Sequence, residues 1–132
     1  MSDSFIKVPI SPGEMLDKIT ILEIKQDRID DANKVKNVTV ELNALRKTQE
    51  NAFEISGELS EKYNELKTIN EQLWVIEDDI RDCERNNDFS DTFIQLARAV
   101  YVTNDERARV KREINVLLGS TLIEEKSYAS YT

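Results

Sequence analysis

Histidine is absent from this sequence of 132 residues, and cysteine, proline and glycine are scarce. Without histidine, the chain lacks the commonest zinc ligand, the usual base at neutral pH and every Ser-His or Cys-His nucleophile pair. The single cysteine, Cys83, cannot form an internal disulfide, so we expect a reducing, cytoplasmic compartment. Any chemistry must use carboxylate, lysine, arginine or tyrosine side chains, and we expect neither a metal nor a cofactor.

Positive charge is in the minority, and long apolar runs are missing. Lys and Arg number 18 against 26 Asp and Glu, which gives a net charge of −8. Nucleic acids and anionic membrane surfaces are bound by clustered positive charge, so both are disfavoured as partners. No stretch is apolar over the roughly 20 residues that a membrane span needs, and the polar N-terminus lacks a secretory apolar core.

The composition favours helices. Charged residues make up 33 %, with only 3 Gly and 2 Pro, a balance typical of long helices rather than of a turn-rich β fold. We predict one all-α domain over residues 1–132, an antiparallel bundle of about four helices that includes a long heptad-patterned hairpin. The helices are expected near residues 12–35, 38–55, 58–86 and 90–118, and a polar tail near 120–132.

Capping patterns mark the ends of these helices. Ser11, Pro12 and Glu14 form a capping box with proline at the first helical position, and Gly119 is typical of the residue that follows a helix. Ser56-Gly57 is the only breaker between the second and third segments. We prefer a tight turn there, and one long bent helix is the alternative.

The third segment has the strongest hydrophobic pattern. The residues that recur at steps of three and four, as in coiled-coil packing, are Leu59, Tyr63, Leu66, Leu73 and Ile80, with Ile69, Ile76 and Cys83 beside them. The first helix is apolar on two sides, which predicts a central position covered by several neighbours. Together these surfaces exceed what a four-helix monomer needs, so we expect a homodimer. Whether the seam closes within one chain or between two is open.

Polar residues interrupt the apolar faces of three helices. Asp17 and Glu23 lie within apolar faces of the first helix. Glu23 is expected to meet Arg107 and Lys111 of the last helix. The candidate site comprises Glu23, Trp74, Glu77, Asp78, Arg81, Asn104, Arg107 and Lys111.

Two interpretations of this cluster are open. Buried charges are costly unless paired, so the cluster is either a structural network or, if the faces are rotated, a set of exposed residues. The alternative is a ligand site, in which Arg107 and Lys111 bind a phosphate or carboxylate and Trp74 forms a flat wall. A magnesium site needs convergent carboxylates, which adjacent Glu77 and Asp78 do not provide.

The segments PISPGEMLDKITILEIK, LWVIEDDIRDCE, LARAVYVTNDERARVKREIN and EEKSY give the chain a family resemblance. It resembles a small family of uncharacterised helical proteins of bacteria and of viruses of marine cyanobacteria, over nearly its whole length. The resemblance implies no established activity. Some bacterial members lie near surface-polysaccharide genes, which implies a link to sugar-nucleotide metabolism.

Two function classes remain. The first is an interaction or scaffold protein without catalytic machinery, which long helices and an acidic surface favour. The second is a small-molecule binding protein or enzyme that handles a phosphate- or carboxylate-bearing metabolite, such as a sugar nucleotide, through the polar cluster. A buried, fully paired cluster favours the first class, and an open groove with unpaired arginine favours the second.

Overall fold

Four helices form the architecture. The computed structural model describes residues 4–132, so residues 1–3 of the predicted domain lie outside it. The helices are α1 (Pro12–Arg28), α2 (Ala32–Ala52), α3 (Gly57–Arg85) and α4 (Asp91–Leu117), and residues 4–132 contain no strand. The all-α bundle is confirmed. Within the same range, no helix is both long and apolar enough to cross a membrane.

The boundary between the first two helices differs from the prediction. α1 ends at Arg28 rather than near residue 35, and α2 already begins at Ala32. The carboxylate of Asp31 accepts hydrogen bonds from the backbone N–H groups of Asn33 and Lys34 at 2.9 and 3.1 Å. This cap starts a new helix where the prediction continued the old one, because it satisfies two backbone donors that a helix start leaves free.

The other breaks fall where the sequence predicts them. α2 and α3 are separate helices, and Gly57 adopts a φ of +55°, a conformation that favours glycine. Ser11 caps α1 by accepting a hydrogen bond from the Glu14 N–H at 3.2 Å. Gly119 directly follows the last turn of α4, as expected for a C-terminal glycine.

α1 is the centre of the bundle. It packs on α2, α3 and α4, and α3 packs on α4. α3 and α4 are antiparallel, since Lys62 pairs with Glu113 and Glu65 pairs with Arg109. The most deeply buried apolar residues of the shared core are Leu16, Ile19, Leu42, Leu66, Val110 and Ile114. The prediction of a central first helix is therefore confirmed.

The α3–α4 pair extends beyond the rest of the bundle. We call residues 74–104, which comprise the end of α3, the turn and the start of α4, the distal hairpin. Cys83 is the only buried residue in it, and the buried residues of α4 all lie between Val110 and Asn115. Along the predicted seam of α3, Leu66 and Leu73 are buried whereas Ile80 is only half-buried. The deep core therefore ends near Leu73.

Candidate functional site

A buried carboxylate lies where α1, α3 and α4 meet. Asp17 is 1 % exposed. Its Oδ1 accepts hydrogen bonds from Asn70 Nδ2 at 2.9 Å and Arg107 Nε at 2.8 Å, and its Oδ2 accepts one from Arg107 Nη2. Asn70 also donates to Thr20 Oγ1, whose hydroxyl donates to the Asp17 carbonyl. The two-point contact with Asp17 raises the pKa of Arg107 above its ordinary value.

A buried lysine lies beside this pair. Lys111 is 9 % exposed. Its Nζ is 2.7 Å from Glu14 Oε2, 3.4 Å from Glu124 Oε2 and 3.9 Å from Asp17 Oδ2. An ammonium group is costly to bury unless carboxylates surround it, and three carboxylates do so here. Arg107 and Lys111 are therefore fixed by acidic residues of α1 and of the C-terminal tail.

A glycine lets α1 approach α4 closely enough to form these contacts. The Gly13 N–H donates to Asn115 Oδ1 at 2.7 Å. A Cβ at Gly13 would lie 2.4 Å from the Lys111 carbonyl oxygen, so only glycine fits without displacing the backbone. Sequence reasoning did not identify Gly13 as a contact, whereas Asn115 continues the polar line of Asn104, Arg107 and Lys111 that the sequence shows. The signal in the sequence for this close approach was the proline–glycine pair at the start of α1.

Glu23 does not join Arg107 and Lys111, so that prediction is wrong. It lies in a separate, half-buried cluster in which its Oε2 is 2.7 Å from Arg46 Nη2 and its Oε1 is 3.8 Å from Lys67 Nζ. Tyr63 donates a hydrogen bond to the same carboxylate. Burial and this hydrogen bond raise the pKa of Tyr63. Asp17, six residues earlier in α1, contacts Arg107 and Lys111, which were predicted as partners of Glu23.

The α3 members of the candidate site also lie elsewhere. Trp74 is half-buried and Asp78 is exposed, while Glu77 and Arg81 form an ion pair with each other at the surface. At 1.5 Å of rise per residue, Arg81 lies about 16 Å beyond Asn70 along α3. α3 has 29 residues and α1 has 17, so these positions extend past the region that α1 covers.

The three α4 candidates do lie together. Asn104 Oδ1 is 3.4 Å from Arg107 Nη1, and Lys111 follows one turn later. All three line a cavity of about 840 Å³ between α4 and the C-terminal residues 126–132, which we call the tail groove. Lys126 and Tyr128 belong to its other side. The structure therefore brings the three α4 candidates together, whereas it places the candidates from α1 and α3 elsewhere.

The tail is held on α4 by aromatic and polar contacts. Tyr131 donates a hydrogen bond to Asp105 Oδ2 at 2.6 Å, and its ring meets that of Tyr101 edge-on with centroids 5.2 Å apart. Lys126 Nζ lies 2.8 Å from Glu124 Oε1 and 5.8 Å from the centre of the Tyr128 ring. The predicted polar tail thus forms one wall of the groove.

The cationic groups of this arrangement can bind and position an anion. Arg107 binds both oxygens of Asp17 and Asn70 also binds Oδ1, so three of the roughly four lone-pair sites of this carboxylate are occupied. Across residues 4–132, no group of three or more His, Cys, Asp or Glu side chains is placed to hold a metal ion. Arg107, Lys111 and Lys126 are the cationic groups that line the tail groove.

Residues 6–132 match the model of a family of unknown function (DUF6165). The chain belongs to this family. The match spans nearly the whole chain, which confirms the resemblance at the level of the family. No curated protein and no solved structure matches the chain. Family membership therefore identifies the fold unit, and the function has to be argued from the geometry.

Proposed function

We propose that the protein is a helical interaction protein that associates with a second copy of itself through the distal hairpin. The observation that carries this proposal is the lack of cover over residues 74–99 of that hairpin, where Cys83 alone is buried. The paired Asp17–Arg107 cluster supports it, because a satisfied internal pair acts as part of the core rather than as a catalytic group.

The exposed part of the hairpin continues the groove that α1 fills. On α4, α1 contacts Asn115, Lys111 and Arg107, and the same face continues one to four turns earlier. On α3, the face that carries Asn70 continues through Trp74. We call this uncovered stretch the hairpin groove, and its half-buried members are Trp74, Phe93 and Ala97.

A second hairpin supplies what this groove lacks. The groove lies between two helices of one hairpin, and two hairpins related by a two-fold axis complete a four-helix bundle that covers it. The two helical stretches are each about 20 Å long and, side by side, about 20 Å wide. Their footprint is therefore roughly 400 Å² per copy. That is about half of the ~800 Å² per partner in a standard interface, so we expect a weak dimer that depends on concentration.

Charge gives this dimer a distinctive salt dependence. The distal hairpin carries seven acidic residues (Glu77, Asp78, Asp79, Asp82, Glu84, Asp88 and Asp91) and three basic ones (Arg81, Arg85 and Arg98). Two such hairpins repel each other electrostatically, and added salt screens that repulsion. We therefore expect salt to strengthen self-association. A basic helical partner in the same groove would instead be weakened by salt.

The test places one charge in the hairpin groove. Ala97→Lys should weaken the dimer by about tenfold or more, because burying an unpaired ammonium costs more than the 1.4 kcal/mol that a tenfold change represents. Sedimentation velocity across a concentration series measures this. Ala44→Lys, at a half-buried alanine of α2 outside the groove, is the matched control and should leave the dimer unchanged.

Trp74 gives an independent measure in the same experiment. It is the only tryptophan in the chain and lies in the hairpin groove, so its emission should shift to the blue as the dimer forms. A monomer at all concentrations, or equal effects of the two substitutions, would contradict the proposal. A dimer that salt dissociates would show that another surface is used.

We propose that this association takes place in the cytoplasm of a bacterial or virus-infected cell, as the family resemblance implies. The free, buried thiol of Cys83 supports a reducing compartment.

A further inference from the structure

Beside the tail groove, a carboxylate of the protein itself contacts two of the lysines that line it. Glu124 Oε1 is 2.8 Å from Lys126 Nζ, and Glu124 Oε2 is 3.4 Å from Lys111 Nζ. The side chain of Glu124 is 43 % exposed, whereas that of Lys111 is 11 % exposed. The lysine is therefore held in place by the fold, while the carboxylate that meets it is partly exposed to solvent.

Arg107 has spare hydrogen-bonding capacity at the same place. Its guanidinium has five N–H groups, of which two bind Asp17 and a third makes a 3.4 Å contact with Asn104. Because Asp17 fixes the plane of the guanidinium, the remaining N–H groups are held in position beside Lys111. A fixed guanidinium and a fixed ammonium form the kind of site that binds phosphate or carboxylate oxygens.

The charges balance only when an anion lies between the lysines. Asp17 offsets Arg107, Glu14 offsets Lys111, and Glu124 offsets Lys126. If Glu124 turns outward, one positive charge is left without a partner at the wall of the groove. At the opposite end, Asp105 is bound to Tyr131 and would repel a second anion. The anionic part of a ligand is thereby restricted to the Lys111–Lys126 end.

We infer that the tail groove binds a phosphate- or carboxylate-bearing small molecule whose anionic group replaces the Glu124 carboxylate between Lys111 and Lys126. The rest of the molecule lies along the groove between Tyr101 and Tyr128. The volume of about 840 Å³ lies within the range of small-molecule sites. Glu124 acts as an internal competitor, and the neighbouring lysines hold its pKa below its ordinary value, so it competes as a carboxylate at neutral pH.

Removing the competitor is the decisive test. Pyrophosphate and citrate are the probes for the phosphate and carboxylate arms, and their affinities are measured by isothermal titration calorimetry at constant ionic strength. Glu124→Gln should tighten binding by about tenfold, the size expected for one charge-assisted interaction. The matched control is Glu125→Gln, which removes the same charge from the adjacent residue, a carboxylate paired with Arg112. It should change the affinity less than about twofold, as expected for an exposed pair.

A second pair of variants tests the cationic side. Lys126→Gln should weaken binding by about tenfold, whereas Lys36→Gln, at an exposed lysine of α2, should not. The contact between the Tyr101 and Tyr131 rings, followed by NMR, reports whether the tail stays docked in each variant. If Glu124→Gln releases the tail, the comparison of Lys126→Gln with Lys36→Gln decides whether the groove binds the anion.

Three results would overturn the inference. The first is equal tightening by Glu124→Gln and Glu125→Gln, which would mean that only net charge matters. The second is equal weakening by the two lysine substitutions. The third is the lack of millimolar binding of either probe to both the natural protein and Glu124→Gln. Tight binding of one probe alone would support the inference and identify the ligand's anionic group as phosphate or carboxylate.

Discussion

Asp17 is surrounded by hydrogen-bond donors, and these donors allow a carboxylate to lie in the core of a small helical protein. Arg107 supplies two of them and Asn70 a third. A buried ion pair contributes little net stability compared with apolar residues, but the loss of one partner leaves the other charge buried and unpaired. The arrangement therefore fixes how α1, α3 and α4 are aligned, rather than adding much free energy.

The cost of removing one partner of the Asp17–Arg107 pair can be measured. Arg107→Leu should lower the free energy of unfolding by about 3–5 kcal/mol, because it strands the Asp17 carboxylate in the core. Adding Asp17→Asn in the same chain should recover part of the loss, since the stranded charge is removed. Arg112→Leu on the same helix, 53 % exposed, should cost less than about 1 kcal/mol. Urea unfolding measures all three. A double variant less stable than Arg107→Leu would contradict this account.

The sequence predicts the α4 members of this cluster but not their partners on α1 and α3, and the reason is physical. Asn104, Arg107 and Lys111 were found because polar residues replaced apolar ones on a predicted stripe. Both Asp17 and Glu23 interrupt the apolar faces of α1, and the pattern does not say which of the two faces α4. That choice depends on where α1 crosses α4, and the close approach at Gly13 decides it. The contact is between residues a hundred positions apart, which helical periodicity does not describe.

Element boundaries depend on local caps that compete with periodicity. The apolar pattern continues through Ile29, so the first helix was expected to run to residue 35. It ends at Arg28 instead, and the capping carboxylate of Asp31 starts α2 at Ala32. A helix over residues 12–35 would be about 36 Å long, and the observed one is about 26 Å.

The contribution of the Asp31 cap to stability can be measured by substitution. Asp31→Ala should destabilise the protein by about 1 kcal/mol, since two N–H groups at the start of α2 lose their partner. Asp30→Ala removes the same charge from the preceding exposed residue and should cost little. Thermal unfolding followed by circular dichroism compares the two. Equal losses would show that charge near the helix start matters rather than the hydrogen bonds.

At the scale of the whole molecule, ion pairs on the surface connect α3 to α4 in a protein of net charge −8. Glu113 is the centre of this network, with Lys62 Nζ at 2.8 Å and Arg109 Nη1 at 2.9 Å. The hydrogen bond from Lys62, followed by that from Arg109, holds the pKa of Glu113 below its ordinary value of 4.5. The folded protein therefore keeps this carboxylate ionised at a pH where the unfolded chain has begun to protonate it.

The sign of the pH dependence follows. The contribution of Glu113 to stability is present above pH 4.5 and is lost as the pH falls through that value towards the lower pKa of the folded state. Glu113→Gln should thus reduce the fall in the free energy of unfolding between about pH 5 and 3. The effect at neutral pH should stay below about 1 kcal/mol, since the pair is partly exposed and screened. Glu54→Gln, at an exposed position in the α2–α3 connection, is the charge-matched control and should keep the natural slope. Urea unfolding at each pH measures the slopes, and parallel curves for all three proteins would show that Glu113 does not couple the α3–α4 pair to acid stability.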